Sequence, residues 1–276
     1  AGAGVAKDRT GERVSLHYLL TCGDCDYCRQ GKEQFCVKGA MIGKHRDGGY
    51  AEYIAVPARN AVTLPDAVSF EQGAVLMCST STSFHALRKA RLKAGETVAV
   101  FGAGGLGMSA IQLAYAMGAS AVFAIDISPK KLAAAEKYGA VPVDASVCDP
   151  VASIQKNTKG KGIDVSLEVI GLPTTMQQAV RCLAVFGRAA LAGIAEFPFA
   201  VDSYQELLGK EAEIIGCSDH LLEELPILLE FLRQGRIDFS HVITDTVSLD
   251  AEAINEVLDN LEQFKSQVRT VIKPNQ

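Results

Sequence analysis

The sequence predicts an α/β protein in two parts: a doubly wound domain on a six-stranded parallel sheet, and a β-rich domain that carries a cysteine lobe. Three observations predict it. From Thr97 onward, short apolar runs alternate with amphipathic segments, the pattern of repeated βαβ units. The first strand of that series runs directly into the glycine turn FGAGGLG, which opens a helix. Before Cys78 the chain consists instead of short β-like runs bounded by Gly, Pro or Asp, interrupted by four closely spaced cysteines.

Taken in order, ERVSLHYLL, GGYAEYIAVP and NAVTLP read as strands around the cysteine lobe. TVAVF is the first strand of the parallel sheet, and MSAIQLAYAMG follows at helical spacing. The next strands are AVFAID, VPVD, IDVSLEVI, RAALAGI and EIIGCS, separated by helical segments such as PKKLAAAEKYG and TTMQQAVRCLAVFG. Six strands in this order predict a parallel sheet with helices on both faces. After Ser218 the alternation stops. A helix over Leu221 to Arg233, the strand-like HVITDTVSL, a helix with Ile254, Val257, Leu258, Leu261 and Phe264 on one face, and RTVIKP complete the chain. The expected divisions are 1–79 for the β-rich domain, 80–218 for the sheet domain, and 219–276 returning to the first.

With 276 residues, 48% hydrophobic and 21% charged, the chain can bury a substantial core. No stretch reaches the ~18 apolar residues of a membrane span, and no secretory leader is recognisable, so a soluble cytoplasmic protein is expected. A formal charge of -5 with no Lys/Arg cluster argues against nucleic acid, because nothing is positioned to displace counterions from phosphates. Cys148, Cys182 and Cys217 stand in apolar surroundings and read as small buried hydrophobes.

Two motifs carry chemistry. Cys22, Cys25, Cys28 and Cys36 have the spacing CxxCxxCx7C; four thiolates fill a tetrahedral Zn²⁺ completely and leave no position for substrate, so the metal would be structural. Disulfides are the alternative, disfavoured by the strain of pairs so close in sequence. In the second motif, Gly102 permits a tight turn, Gly104 admits close approach of a pyrophosphate and Gly107 allows close helix packing. Gly105 and Leu106 contribute N–H groups at the helix start. Asp126, ending the second strand of the sheet, can accept hydrogen bonds from both adenosine ribose hydroxyls, and with Ile127 and Ser128 beside it no Arg is there to receive a 2′-phosphate. NAD is therefore expected over NADP. A plain glycine turn, with Asp126 only capping the next helix, is the alternative.

With both motifs in one chain, the sequence resembles the zinc-dependent medium-chain alcohol dehydrogenases over essentially its whole length. The residues that carry the resemblance are the ERV strand, the cysteine lobe, DGGYAEY, LMCSTSTSFHAL, GAGGLG, EVIG and RTVIKP. The resemblance implies a Rossmann domain for NAD and a partial GroES-like catalytic domain. It implies that Cys78 ligates a catalytic zinc, that Thr82 faces the nicotinamide, that Lys131 contacts ribose or adenine, that Ile170 of EVIG lines the cofactor site, and that Arg269 reaches the pyrophosphate. A merely buried Cys78 is the alternative, as are solvated roles for Lys131 and Arg269. Polyol and threonine dehydrogenases that resemble this group usually place a Glu near Cys78, so the thiol leans toward simple alcohols. Full-length relatives carry further catalytic-zinc ligands upstream of the ERV strand, so the resemblance reads the chain as the carboxy-terminal part of such an enzyme. The histidines His17, His45, His85, His220 and His241 show no ligand spacing that would replace them.

The implied reaction is reversible oxidation of a primary or secondary alcohol, with zinc as Lewis acid and NAD as hydride acceptor, in a homodimer or homotetramer joined along the sheet edge around RAALAGI and EIIGCS. The alternatives are a zinc-stapled NAD-binding protein without turnover, a polyol or threonine-type dehydrogenase, and a zinc-free quinone reductase. The last is opposed by the cysteine lobe and by Asp126.

Overall fold

The computed structural model describes residues 8–239, 242–262 and 269–274, together with Gly2 and Val5. The chain forms two compact units, Ala1–Ser81 with His220–Gln276, and Thr82–Asp219.

In the first unit, ERVSLHYLL is divided into two short strands, β1 (Val14–Leu16) and β2 (Leu19–Leu20), rather than one. The cysteine lobe follows, with the single-turn helix α1 (Asp26–Arg29). Strand β3 (Ala40–Met41) then pairs antiparallel with β2, and β4 (Ala61–Thr63) with β1. The expected strand GGYAEYIAVP does not form: residues 48–57 are bends and irregular chain. Its alternation is real, but among the described residues no strand edge ladders with it, and Tyr50 and Tyr53 stand 67% and 90% exposed. Helix α2 (Phe70–Val75) begins at a capping box: Ser69 Oγ accepts from the Gln72 N–H while Gln72 Oε1 accepts from the Ser69 N–H. It runs through a π-helical turn at Leu76–Thr80 into α3 (Ser81–Lys89). Such a turn inserts one extra residue into the helix, a distortion often found at functional sites.

The second unit contains the predicted sheet. Strands β5 (Thr97–Phe101), β6 (Ala121–Asp126), β7 (Val141–Asp144), β8 (Ile163–Glu168), β9 (Leu183–Leu191) and β10 (Glu213–Gly216) lie in the order β10-β9-β8-β5-β6-β7, all parallel. The strand order reverses between β5 and β8, the point at which such folds open a crevice at the strand carboxyl ends. Helices α4 (Gly105–Ala116), α5 (Pro129–Lys137), α6 (Pro150–Asn157) and α7 (Pro173–Arg181) make the crossovers. Alternate residues face opposite sides, so Ala99, Phe101, Phe123 and Ile125 join Ile154, Ala179 and Cys182 in one buried cluster. The helix expected to run through Leu183 to Gly187 stops at Arg181; LAVF is drawn into the sheet because Leu183 pairs with Ile163, a ladder that outweighs local helix preference.

The first unit resumes with α8 (Leu225–Arg233), whose buried Leu225, Leu228, Leu229 and Leu232 pack against the π turn. Strand β11 (Ile243–Ser248), helix α9 (Ala251–Glu262) and strand β12 (Arg269–Lys273) follow, with β11 and β12 parallel. Phe264 and His241 lie outside the described residues. No described helix is long and apolar enough to cross a membrane.

Candidate functional site

The lobe cysteines converge. The four Sγ atoms all lie within 4.8 Å of one another, with Cys36 and Cys28 at 3.5 and 3.9 Å from Cys22. A zinc tetrahedron with bonds of about 2.3 Å has sulfur–sulfur edges of about 3.8 Å, so the donor set fits the metal. The cysteines are free rather than bridged. Backbone geometry makes this convergence possible: Gly23 takes φ +77°, and a Cβ on Gly39 would come within 2.8 Å of the Cys36 carbonyl oxygen. The N–H groups of Cys22 and Cys25 donate to sulfurs of the set. Backbone donors at Cys28 and Val37 bring the Cys25 thiol down to about 6, while burial and the Cys25 sulfur push Cys28 up to about 12. Thiols this close cannot all ionise without a cation between them. Glu33, between the third and fourth cysteines, ties the lobe to its own unit, accepting from the Leu222 N–H through Oε1 and from Arg59 and Thr21 through Oε2.

At the carboxyl end of the sheet, the glycine turn has the shape its spacing predicts. Gly102 takes φ +102°, outside the range of most side chains. A Cβ on Gly107 would lie 1.7 Å from the Gly102 carbonyl oxygen, so only glycine lets α4 start this close to β5. At Gly104 a Cβ would meet nothing within 4 Å, which leaves the open cradle that a pyrophosphate requires, with N–H groups of Gly105 and Leu106 at the start of α4. Asp126 is 8% exposed. Its Oδ2 accepts from the Ala103 N–H at 2.8 Å and its Oδ1 from the Ser128 N–H at 2.9 Å, and each oxygen retains a further acceptor site. Lys131 Nζ stands 4.0 Å from Oδ2. The structure therefore brings Gly102, Gly104, Gly105, Leu106, Gly107, Asp126 and Lys131 together. Ile170 joins them, since a Cβ on Gly102 would meet Ile170 Cγ1 at 2.7 Å.

In the first unit, Cys78 lies on the π turn and is exposed, which removes the reading of Cys78 as a buried hydrophobe. It lines a cavity of about 340 Å³ with Gly49, Tyr50, Ser79, Arg269 and Thr270. Among the described residues, the Arg269 Nε and the Thr270 hydroxyl are buried without a hydrogen-bond partner. Thr82 is half-buried and belongs to the second unit.

Two family models cover most of the chain: "zinc-binding dehydrogenase" matches residues 105–234, and "alcohol dehydrogenase GroES-like domain" matches residues 1–66. An alcohol dehydrogenase of Geobacillus stearothermophilus is 32% identical over 99% of this chain and 79% of its own length. An NAD-dependent alcohol dehydrogenase of Sulfurisphaera tokodaii is 32% identical over 96% of this chain and 75% of its own. The crystal structure of 2R,3R-butanediol dehydrogenase from Bacillus subtilis superposes with a TM-score of 0.90 at 31% identity, covering 100% of this chain and 77% of that one.

The chain belongs to the zinc-dependent medium-chain alcohol dehydrogenase family.

Within this dehydrogenase the two metal expectations part company. The lobe fits structural zinc. Around Cys78, no group of three His, Cys, Asp or Glu donors assembles among the described residues, so those residues do not make up a catalytic zinc site. Cys148 is exposed and Cys217 half-buried, against the expectation of burial; only Cys182 is enclosed, and burial pushes its thiol up to about 12. Sequence reasoning also missed a buried histidine pair, His17 Nδ1 and His220 Nε2 at 3.1 Å. Two hundred residues of chain separate them, and no spacing rule reaches that far.

Proposed function

We propose that this chain catalyses NAD-linked, reversible oxidation of a primary or secondary alcohol to an aldehyde or ketone. The glycine turn after β5, beside the sheet's switch point, and Asp126 at the end of β6 carry the reading. When bound, NAD supplies the hydride acceptor at C4 of its nicotinamide. The N–H groups at the start of α4 hold the pyrophosphate, Gly104 gives it room, and Asp126 accepts from the adenosine ribose hydroxyls with Lys131 beside it. A carboxylate at that position repels a 2′-phosphate, which supports NAD over NADP.

The Thr82–Asp219 unit is accordingly assigned to the nucleotide and the other unit to the alcohol. Cys78 is proposed as a donor for the catalytic metal, Thr82 as a nicotinamide-facing hydroxyl, and Arg269 as a phosphate contact from a strand that already lines the Cys78 cavity. The thiol at residue 78 favours simple alcohols over polyols. Strand β10, an exposed edge with Glu213 and Ile214 open to solvent, supports a homodimer or homotetramer joined there. Eight free cysteines suit the cytoplasm.

The test is NADH formation from a panel of primary, secondary and polyhydric alcohols, with NAD and NADP compared, alongside NADH binding by fluorescence. Turnover with NAD supports the enzyme. Tight NADH binding without turnover on any alcohol would favour the non-catalytic reading, and neither binding nor turnover would overturn both.

A further inference from the structure

Glu168 ends β8 beside the strand that carries the glycine turn, in register with Phe101. Its side chain is fully buried, at 0% exposure. One oxygen, Oε1, accepts from the Ile170 N–H at 2.9 Å, the Gly171 N–H at 2.8 Å and the Thr175 hydroxyl at 2.8 Å. The other oxygen, Oε2, is buried without a hydrogen-bond partner. A Cβ on Gly193 would come within 2.5 Å of it, so it is sealed in by the loop that follows β9.

The Glu168 carbonyl oxygen accepts from the N–H groups of Ala192 and Gly193 in that same loop. One residue thus clamps two loops, 169–171 and 192–194. The loops also interlock directly, since a Cβ on Gly171 would lie 2.3 Å from the Ile194 carbonyl oxygen. They present apolar side chains outward: Ile170 is 42% exposed and Ile194 92% exposed.

Placement gives these loops a ligand. On the NAD-binding reading, Asp126 would hold the adenosine end on the β6 side of β5 and the glycine turn would take the pyrophosphate at β5 itself. A dinucleotide laid across the switch point must continue to the β8 side, where loops 169–171 and 192–194 are the sheet's carboxyl edge. We infer that Glu168 is a positioning residue for the nicotinamide half of the cofactor, its side chain acting on the backbone of loop 169–171, which interlocks with loop 192–194. This rests on the NAD-binding reading above.

The test compares Kd values for NADH and for ADP-ribose, which lacks the nicotinamide, in the wild-type chain and in Glu168→Ala, together with the fluorescence of bound NADH. Glu168→Ala keeps the main-chain bonds to Ala192 and Gly193 but frees the Ile170 and Gly171 N–H groups; loosening loop 169–171 in this way should raise the NADH Kd about tenfold or more and shift the emission of bound NADH, while the ADP-ribose Kd stays within about twofold. Equal weakening of both ligands would mean a purely structural role and would overturn the inference, as would no change in either. If Glu168→Ala does not fold, Thr175→Val takes away the hydroxyl that stands between Oε1 and the Leu172 carbonyl, and a ratio of the two Kd values that stays at the wild-type level overturns the inference on its own. A wild-type chain that binds neither ligand overturns the cofactor reading as well.

Discussion

Alanine substitution at two glycines three residues apart should have opposite effects on stability and on binding. At Gly107, a methyl would sit 1.7 Å from the Gly102 carbonyl oxygen and 2.7 Å from its carbon. Real Cβ contacts do not fall below about 3.0 Å, so helix and turn must separate by about 1.3 Å. Both atoms are backbone, with no flexible side chain to yield. Overpacking of this kind costs about 1–3 kcal/mol or more, equivalent to roughly 5 °C in the melting temperature of a domain this size. At Gly104 the same methyl meets nothing within 4 Å, and φ of -79° is open to any residue. Gly104→Ala should therefore melt within about 2 °C of wild type, allowing for the slightly poorer cap. Its methyl instead occupies the pyrophosphate cradle, and the NADH Kd should rise about tenfold or more, equivalent to about 1.4 kcal/mol. Thermal unfolding and NADH fluorescence titration on both variants decide the matter. A Gly107→Ala protein that melts like wild type, or a Gly104→Ala protein that binds NADH like wild type, would refute the geometric argument.

Other predictions follow from the same geometry. Cys25→Ser should drop the zinc content, expected at about one ion per chain from the lobe alone, toward zero and lower the melting temperature; metal content unchanged by elemental analysis would count against the lobe as the site. Asp126→Ala should weaken NAD more than NADP. Both lose something, because the Ala103 N–H loses its acceptor, but equal losses would remove the ribose assignment. Glu71 donates no proton at neutral pH: the Lys273 ammonium at 2.7 Å, its own backbone N–H and Ser69 hold its carboxyl down at about 2, from 4.5. A lowered pKa gives stability that is full above about pH 4.5 and is lost as the pH falls toward about 2. Glu71→Gln should melt below wild type at pH 7, with the gap closing between pH 4.5 and 2.5; a gap independent of pH would show that the ion pair contributes nothing.

What the sequence alone determined was local. The six strands of the sheet, the turn at Gly102 to Gly107, Asp126 at a strand end and the four-thiol lobe each depend on period or spacing over a few residues. Backbone sterics and donor chemistry read such patterns directly. DGGYAEY failed because alternation says which residues could face a core but not whether a neighbouring strand is there to pair. LAVF failed the opposite way, with a ladder to Ile163 overruling a helical pattern. Only tertiary structure joined His17 to His220, set Arg269 and Thr270 into the cavity of Cys78, and buried Glu168 between two loops. Each of those placements depends on contacts between residues far apart in the chain, where packing and desolvation set the outcome and sequence spacing carries no information about it.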